Sequence, residues 1–329
     1  MGKLVHFTGN SSQAKSPVGI DLAARITVGG CWPDGTPNDL GPRSVIVMNI
    51  EDDIEDTIIP RFRLADGDKS KIYCIKGTRV QKETGAVERG VALDTDMHDL
   101  TALAHSIPDL GLIIIDPITN YLGGAKMNAE EDVRRILTPL SNLAAERSIV
   151  VITIGHLNRR EKGTNPLHRI LGAAAFSGVA RAVYAFGPPP DSDDKYTHVM
   201  TVVRSCGGEP SALRYRTELV RDTGPDCPTN DIIRVIWLGK SNATAEDAVD
   251  PESSDVKSSE AQAAELIKDF LNEGRKPAKD CEQFLRSHGF NTEDGPNLNL
   301  TRVRKLAGVE TKRFPKEKSY SWYRVMPEG

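Results

Sequence analysis

Cysteine is scarce, and what there is does not pair. The 329-residue chain has five, at positions 31, 74, 206, 227 and 281, and no two form a CxxC pair. That excludes a disulfide scaffold and a zinc ribbon and favours a reducing compartment. No apolar run approaches the roughly 18–20 residues of a membrane span, so a membrane is not an expected partner. The start, MGKLVHFTGN, turns polar too soon for a signal peptide. Position 6 is His6 rather than Ser or Thr, so the Met-Gly start does not support myristoylation. The expected location is the cytoplasm. Positive charge is not in excess either: 42 Lys and Arg face 46 Asp and Glu, a net charge of -4. A chain coated in basic residues for nucleic acid is thereby excluded, while a local basic patch is not.

Apolar residues, at 39%, are sufficient for a sizeable core. The length fits about two domains. The first two-thirds alternates short β-branched runs with helical stretches. Strands are expected at Lys3–Thr8, Ser44–Ile50, Leu112–Ile115 and Ile149–Ile154. Helices are expected at Ser16–Val28, about Ile54–Leu64 and Ala129–Arg147. Runs of Val and Ile without polar alternation fit parallel strands covered on both faces. Strands alternating with helices imply βαβ units and a doubly wound sheet. Ala182–Phe186, Val199–Val203, Ala212–Arg216 and Ile232–Leu238 read as an antiparallel extension of it. A composition break follows at 242–258, where Ser and acidic residues dominate and aromatics are missing. This segment reads as a flexible acidic linker. It separates a core at 1–241 from a small unit at 259–329.

The first strand runs directly into Gly9-Asn-Ser-Ser-Gln-Ala14-Lys15-Ser16 and then a helix. The phosphate-loop pattern is GxxxxGK[ST] between a strand and a helix. Backbone N–H groups and the helix N-terminus cradle phosphates there, the lysine reaches the outer phosphates, and the hydroxyl holds Mg²⁺. Three of the four fixed positions match, and Ala14 replaces the second glycine. Pro17 suits the first turn of a helix but removes one N–H from the cradle. The alternative is an ordinary polar turn.

Three of the apolar strands end in polar residues: SVIVMNI in Glu51-Asp52-Asp53, LIII in Asp116-Pro117, and IVVITIG in His156-Leu157-Asn158. In an open parallel sheet, ligands bind outside the carboxyl ends of the strands, so these ends converge with the loop on one crevice. Asp116 fits an acid that holds Mg²⁺, or else a turn former before proline. Glu51 fits a carboxylate that positions the attacking water, or else a helix cap, the better reading for Asp52 and Asp53. His156 fits a sensor of the γ-phosphate, or else a structural histidine.

These residues resemble the RecA-like ATPases of the RepA type, relatives of the hexameric replicative helicases that phage and plasmid genomes often carry as AAA family ATPases. The matching stretches are AKSPVGIDLAARITVGGCWPDG, IEDDIEDTIIPRF, LIIIDPITNYLGG with DVRRILTPLSNLA, VITIGHLNRREKG, LHRILGAAAFSGVARAVYAF and VVRSCGGEPSALRYR. They cover about residues 2–216, in the family's order. The resemblance implies an α/β fold with a RecA-like P-loop core and a mostly parallel sheet. It implies ring assembly as a homo-oligomer such as a hexamer, and hydrolysis of ATP with Mg²⁺ at subunit interfaces. Carried over, Gly9, Ala14, Lys15 and Ser16 bind nucleotide, and Ser16 and Asp116 hold the metal. Glu51 is the catalytic carboxylate and His156 the γ-phosphate sensor. Arg169 and Arg204 fall where the family places cations that reach a neighbour's nucleotide, although a surface ion pair explains either as well. Ser12 and Ala14 both stand where the family has glycine. Relatives also carry a segment upstream of the first strand, which here begins at Lys3.

The small unit reads as helices at Ala261–Asn272, PAKDCEQFLRSHGF and Leu300–Ala307, followed by a hairpin in GVETKRFPKEKSYSWYRVM. Three helices and a basic hairpin suggest a winged helix-turn-helix, with TEDGPNLN longer than the usual turn. Arg302, Arg304 and Lys305 would face a DNA groove, and Lys312, Arg313, Lys316 and Lys318 would face phosphates. A merely solvated charged face is the alternative. The function expected is an ATP-dependent, helicase-like motor or loader in phage or plasmid DNA replication, with single-stranded DNA at the core and duplex at the C-terminal unit. Two alternatives stay open: a non-hydrolysing DNA-binding regulator acting through the winged helix, and a recombination mediator.

Overall fold

The structure is a computed structural model. It describes residues 2–82, 85–125, 129–157, 173–192, 194–205, 212–221, 231–249, 251–272, 274–290, 300–312 and 320–324. Two compact units divide the chain at 250/251.

The first unit opens with β1 (Lys3–Gly9), α1 (Lys15–Val28), β2 (Ser44–Asn49), α2 (Ile59–Leu64) and β3 (Ile72–Ile75). A hairpin of β4 (Thr78–Lys82) and β5 (Gly85–Arg89) follows, then α3 (Leu93–Ser106), β6 (Leu110–Asp116), α4 (Glu130–Arg147), β7 (Val150–Ile154) and α5 (Ala173–Val179). It closes with β8 (Ala182–Gly187), β9 (Thr197–Ser205), β10 (Ala212–Arg221), β11 (Asp231–Ser241) and α6 (Ala245–Val249). Nine strands form one sheet in the order β11-β10-β9-β8-β1-β7-β6-β2-β3. Pairing is parallel from β8 to β3 and antiparallel from β8 to β11. The expected α/β class with a mostly parallel sheet is therefore what the chain adopts. One detail differs: β8, expected in the antiparallel extension, pairs β1 in parallel.

The lack of polar alternation in the central strands has a direct cause. Val45, Val47, Leu112 and Ile114 point into one apolar layer with α1 and α2. Their neighbours Ile46, Met48, Ile113 and Ile115 point into the other, with α3, α4, α5 and α6. Both faces are covered, and each such side chain contributes about 1.5–3 kcal/mol on burial. Helix α1 stops at Gly29, whose left-handed φ of 65° lets the N–H of Gly30 return to the Arg25 carbonyl at 2.8 Å.

Within the linker expected at 242–258, residues 245–249 and 251–258 are helical instead. Thr244 and Asp247 form a reciprocal cap: the Thr244 N–H donates to Asp247 Oδ2 at 2.8 Å, and the Asp247 N–H to Thr244 Oγ1 at 3.3 Å. Helix α6 then buries Ala248 and Val249 in the core, so a polar composition hid two anchoring residues.

The second unit contains α7 (Pro251–Phe270), β12 (Lys276–Pro277), α8 (Ala278–Ser287), α9 (Leu300–Ala307), β13 (Val309–Lys312) and β14 (Ser321–Arg324). Its strands pair in the order β12-β14-β13. Ala263, Ile267, Leu271, Cys281, Leu285, Val303 and Trp322 make its core. Among the described residues, no helix is long and apolar enough to cross a membrane.

Candidate active site

The strand order sets β1 beside β7, and their connections leave in opposite directions, toward β2 and toward β8. A crevice opens at such a switch point on the carboxyl edge of a parallel sheet. Here it is a cleft of about 670 Å³, and it is lined by Lys15, Ser16, Glu51, Asp116 and His156. Five residues separated by up to 141 positions in sequence thus share one cavity.

Gly9 ends β1 because nothing larger fits. A Cβ there would stand 2.5 Å from the carbonyl oxygen of Phe186 on β8. Gly9 thus serves close strand approach, and the conformational demand falls further along the loop. Ser12 and Ala14 sit at φ 67° and φ 51°, in the left-handed region. These are the two positions where the sequence departs from glycine. An L-residue there costs roughly 1–2 kcal/mol. The loop keeps a glycine-demanding shape without the glycines, and the strain is stored in it.

Helix α1 begins at Lys15 with no side-chain cap. Pro17, in its first turn, has no N–H to offer. Lys15 is 5% exposed. Its Nζ donates to the carbonyls of Gly9 at 3.0 Å and Asn10 at 2.9 Å. Burial pulls its pKa down to about 8, although Asp116 and Glu51 oppose the shift. Asp116, at the end of β6, is 4% exposed. Burial pushes its carboxyl up to about 6; the Ser16 hydroxyl, hydrogen-bonded to it, opposes that, and the charges of Asp52 and Glu51 add to it. Asn49, its register partner on β2, donates Nδ2 to Asp116 Oδ2 at 3.1 Å. The same Asn49 accepts the N–H groups of Glu51 and Asp52 at 2.9 and 2.8 Å, which fixes where Glu51 leaves the sheet.

Glu51 is exposed at the mouth of the cleft. Of the acids after it, only Asp53 caps the next helical turn, accepting from the N–H of Glu55 and Asp56. Asp52 instead pairs with Arg61 of α2 at 2.5 Å. His156, half-buried, follows β7.

One expected cation, Arg204, is not among the described residues that line this cleft. Arg204 pairs across from Val183, four residues before the carboxyl end of β8 at Gly187, which places it toward the opposite edge of the sheet. Arg169 lies outside the described residues. In the second unit, the Arg304 guanidinium stacks over Trp322 at 5.5 Å, and its Nε donates to the Leu300 carbonyl at 3.2 Å. Arg304, half-buried, is thus held by contacts within its own unit. Lys305 and Lys312 are exposed. The Arg302 side chain, Arg313, Lys316 and Lys318 fall outside the described residues.

Sequence reasoning missed the roof. Lys195, Tyr196 and His198 of β9 and its approach, Thr217 of β10 and Ile233 of β11 also line the cleft, with His198 against the loop, as does Arg61 of α2. Strands β10 and β11 stay paired out to Arg221 and Asp231, whereas β9 pairs β10 only over Leu213–Arg216. The outer ends of β10 and β11 therefore overhang the carboxyl edge. No short motif marks this; only the strand register does.

A strand, a loop and a helix bearing Lys and Ser, with a buried acid at a nearby strand end, make the geometry of a phosphate-binding loop site. The family model of the AAA domain matches residues 1–162. That is just under half of the chain; it holds the whole floor of the cleft and stops short of the roof. Among solved structures, one ATPase domain is similar at 13% identity and a TM-score of 0.47, over 65% of this chain and 81% of that one. No curated protein matches the sequence.

Proposed function

We propose that this protein is an ATP-dependent, DNA-associated ATPase of the RecA-like, RepA type, working as a helicase-like motor or loader in replication. The observation that carries the reading is the meeting of Lys15, Ser16, Glu51, Asp116 and His156 in one cleft at the carboxyl edge of the sheet. The AAA-domain match over residues 1–162 supports an ATP-using domain.

The residues present suit ATP with Mg²⁺. A buried carboxylate held near pKa 6, hydrogen-bonded to a serine hydroxyl, is an oxygen pair short of a cation. Among the described residues no group of three or more acids, histidines or cysteines could hold a metal alone. An ion held by Ser16 and Asp116 would be shared with phosphates and water, as Mg²⁺ prefers. Mg²⁺ bound there would offset the charge of the outer phosphates. Lys15 would release the Gly9 and Asn10 carbonyls and turn its ammonium to the phosphates, and a nearby anion would restore its ordinary basicity. Glu51, exposed and held by the Asn49 turn, would orient or deprotonate the attacking water. His156 would hydrogen-bond the γ-phosphate. Arg204 lies away from its own chain's cleft, so any role for it, as for Arg169, is in a neighbour's site within a ring.

The second unit has the order helix, strand, helix, helix, strand, strand around a three-stranded sheet. This order supports a winged helix. We assign it duplex DNA through Arg304, Lys305 and Lys312, with Arg302 and Arg313 as further candidates, and single-stranded DNA to the core.

The test is phosphate release by the full chain, with and without single-stranded DNA, beside Glu51→Gln. DNA-stimulated release that Glu51→Gln abolishes, with ATP binding kept, is the expected result. Release that is equal in both proteins refutes it. A second reading, a non-hydrolysing DNA-binding regulator, is favoured by Pro17 and by the strained Ser12 and Ala14. It requires ATP-independent, salt-sensitive DNA binding and no release at all.

A further inference from the structure

Between the two strained residues of the loop stands Gln13, and it is gripped from outside at two atoms. The Tyr215 hydroxyl of β10 donates to the Gln13 backbone carbonyl at 2.7 Å. His198 Nδ1 of β9 lies 3.1 Å from Gln13 Oε1. An amide oxygen only accepts, so Nδ1 carries the proton; Nε2 lies 3.4 Å from the Thr217 hydroxyl, which donates to the Tyr196 carbonyl at 3.3 Å.

The grip comes from rigid parts. Tyr215 is 0% exposed. Its ring stacks on His198 at 5.3 Å and 28° and packs edge-on or tilted against Phe186 and Trp237. Trp237 is itself fixed, donating Nε1 to Asp21 of α1 at 2.8 Å. The direction of the Gln13 carbonyl is set by Gln13 ψ and Ala14 φ. If Ala14 relaxed to a negative φ, that carbonyl would swing away from the Tyr215 hydroxyl. The contact therefore opposes the motion that would relieve the strain. Strained backbone persists only where its surroundings over-determine it.

We infer that Tyr215 and His198 are positioning residues that clamp Gln13 and hold a glycine-poor loop in its phosphate-receiving shape. The inference rests on the nucleotide-site reading above and deepens it. The roof strands, in this view, replace what glycines at positions 12 and 14 would supply. Loop and roof become one mechanical unit.

A mutant cycle in the full-length chain tests it: Tyr215→Phe, the pair Ser12→Gly with Ala14→Gly, and all three together. Phenylalanine keeps the ring and its packing, so the core folds. The readouts are affinity for Mg²⁺-ATP and amide exchange of residues 11–16 without nucleotide. Tyr215→Phe is expected to weaken binding about ten-fold in the natural loop and under about two-fold in the glycine loop. Loop exchange should quicken in the natural loop only. An equal loss in both backgrounds, or none, overturns the clamp and leaves Tyr215 a packing residue. A wild-type chain that binds no ATP overturns the nucleotide reading instead. The exchange arm then decides the clamp alone: faster exchange confined to the natural loop supports it, and equal exchange refutes it.

Discussion

Asp116→Asn should stabilise the empty protein while destroying its use of nucleotide. Asp116 is 4% exposed and has its pKa raised from 3.8 to about 6 by burial. A carboxyl whose folded pKa is raised favours folding while protonated. Its contribution is full below about pH 3.8 and is lost as pH rises through 6. At pH 7 the ionised group then costs roughly 3 kcal/mol, at 1.36 kcal/mol per pKa unit. An amide of the same shape removes that cost. It forfeits about 1 kcal/mol, because it cannot accept from both Asn49 and Ser16 as the carboxylate does. The net gain is about 2 kcal/mol, or roughly 4–8 °C in the melting temperature of a unit this size. Calorimetry of nucleotide-free, Mg²⁺-free protein at pH 7 and pH 4 measures it. The advantage should be present at pH 7 and shrink by pH 4. Adding Mg²⁺-ATP should raise the melting temperature of wild type but not of the variant. An Asp116→Asn variant no more stable than wild type at pH 7 would refute the claim that this carboxylate is held charged at a cost.

Two further outcomes follow from the same packing. Gly9→Ala drives a methyl to 2.5 Å from the Phe186 carbonyl, and should lower stability by about 1–3 kcal/mol, read as a lower urea midpoint at unchanged slope. His6 is buried against Phe176, with ring centroids 3.9 Å apart, and burial pulls its pKa down to about 3. A depressed imidazole stabilises the fold above about pH 6.5 and loses that contribution as pH falls toward 3, on the order of 5 kcal/mol. His6→Phe should flatten that part of the acid-unfolding curve; an unchanged slope would show that His6 does not drive it.

Much of the core was legible because its residues are buried on both sides. SVIVMNI, LIII and IVVITI can be nothing but two-faced strands, and each ends at a polar residue that the structure brings to the cleft. The loop was legible as a motif but not as a shape. A pattern counts glycines, whereas the backbone at Ser12 and Ala14 is left-handed without them. What holds it there, Tyr215, lies about 200 positions away and carries no motif. The overhang of β10 and β11 is a matter of register, which composition does not encode. Composition also misled at 242–258, where Ser and acidic residues hid the Thr244–Asp247 cap and the buried Ala248 and Val249. Contacts of single side chains were equally illegible: nothing in the sequence pairs Arg304 with Trp322 and the Leu300 carbonyl.

The most direct measurement of the central claim is equilibrium binding of Mg²⁺-ATP to the full chain beside Lys15→Ala. Lys15 sits over the loop carbonyls with its charge only partly balanced by Asp116 and Glu51. Removing a buried charge-assisted donor of this kind should weaken binding by about ten- to a hundred-fold. Binding by wild type that Lys15→Ala lowers by that factor is the expected result. Equal affinity in the two proteins, or no binding by folded wild type at millimolar ATP, would contradict the account.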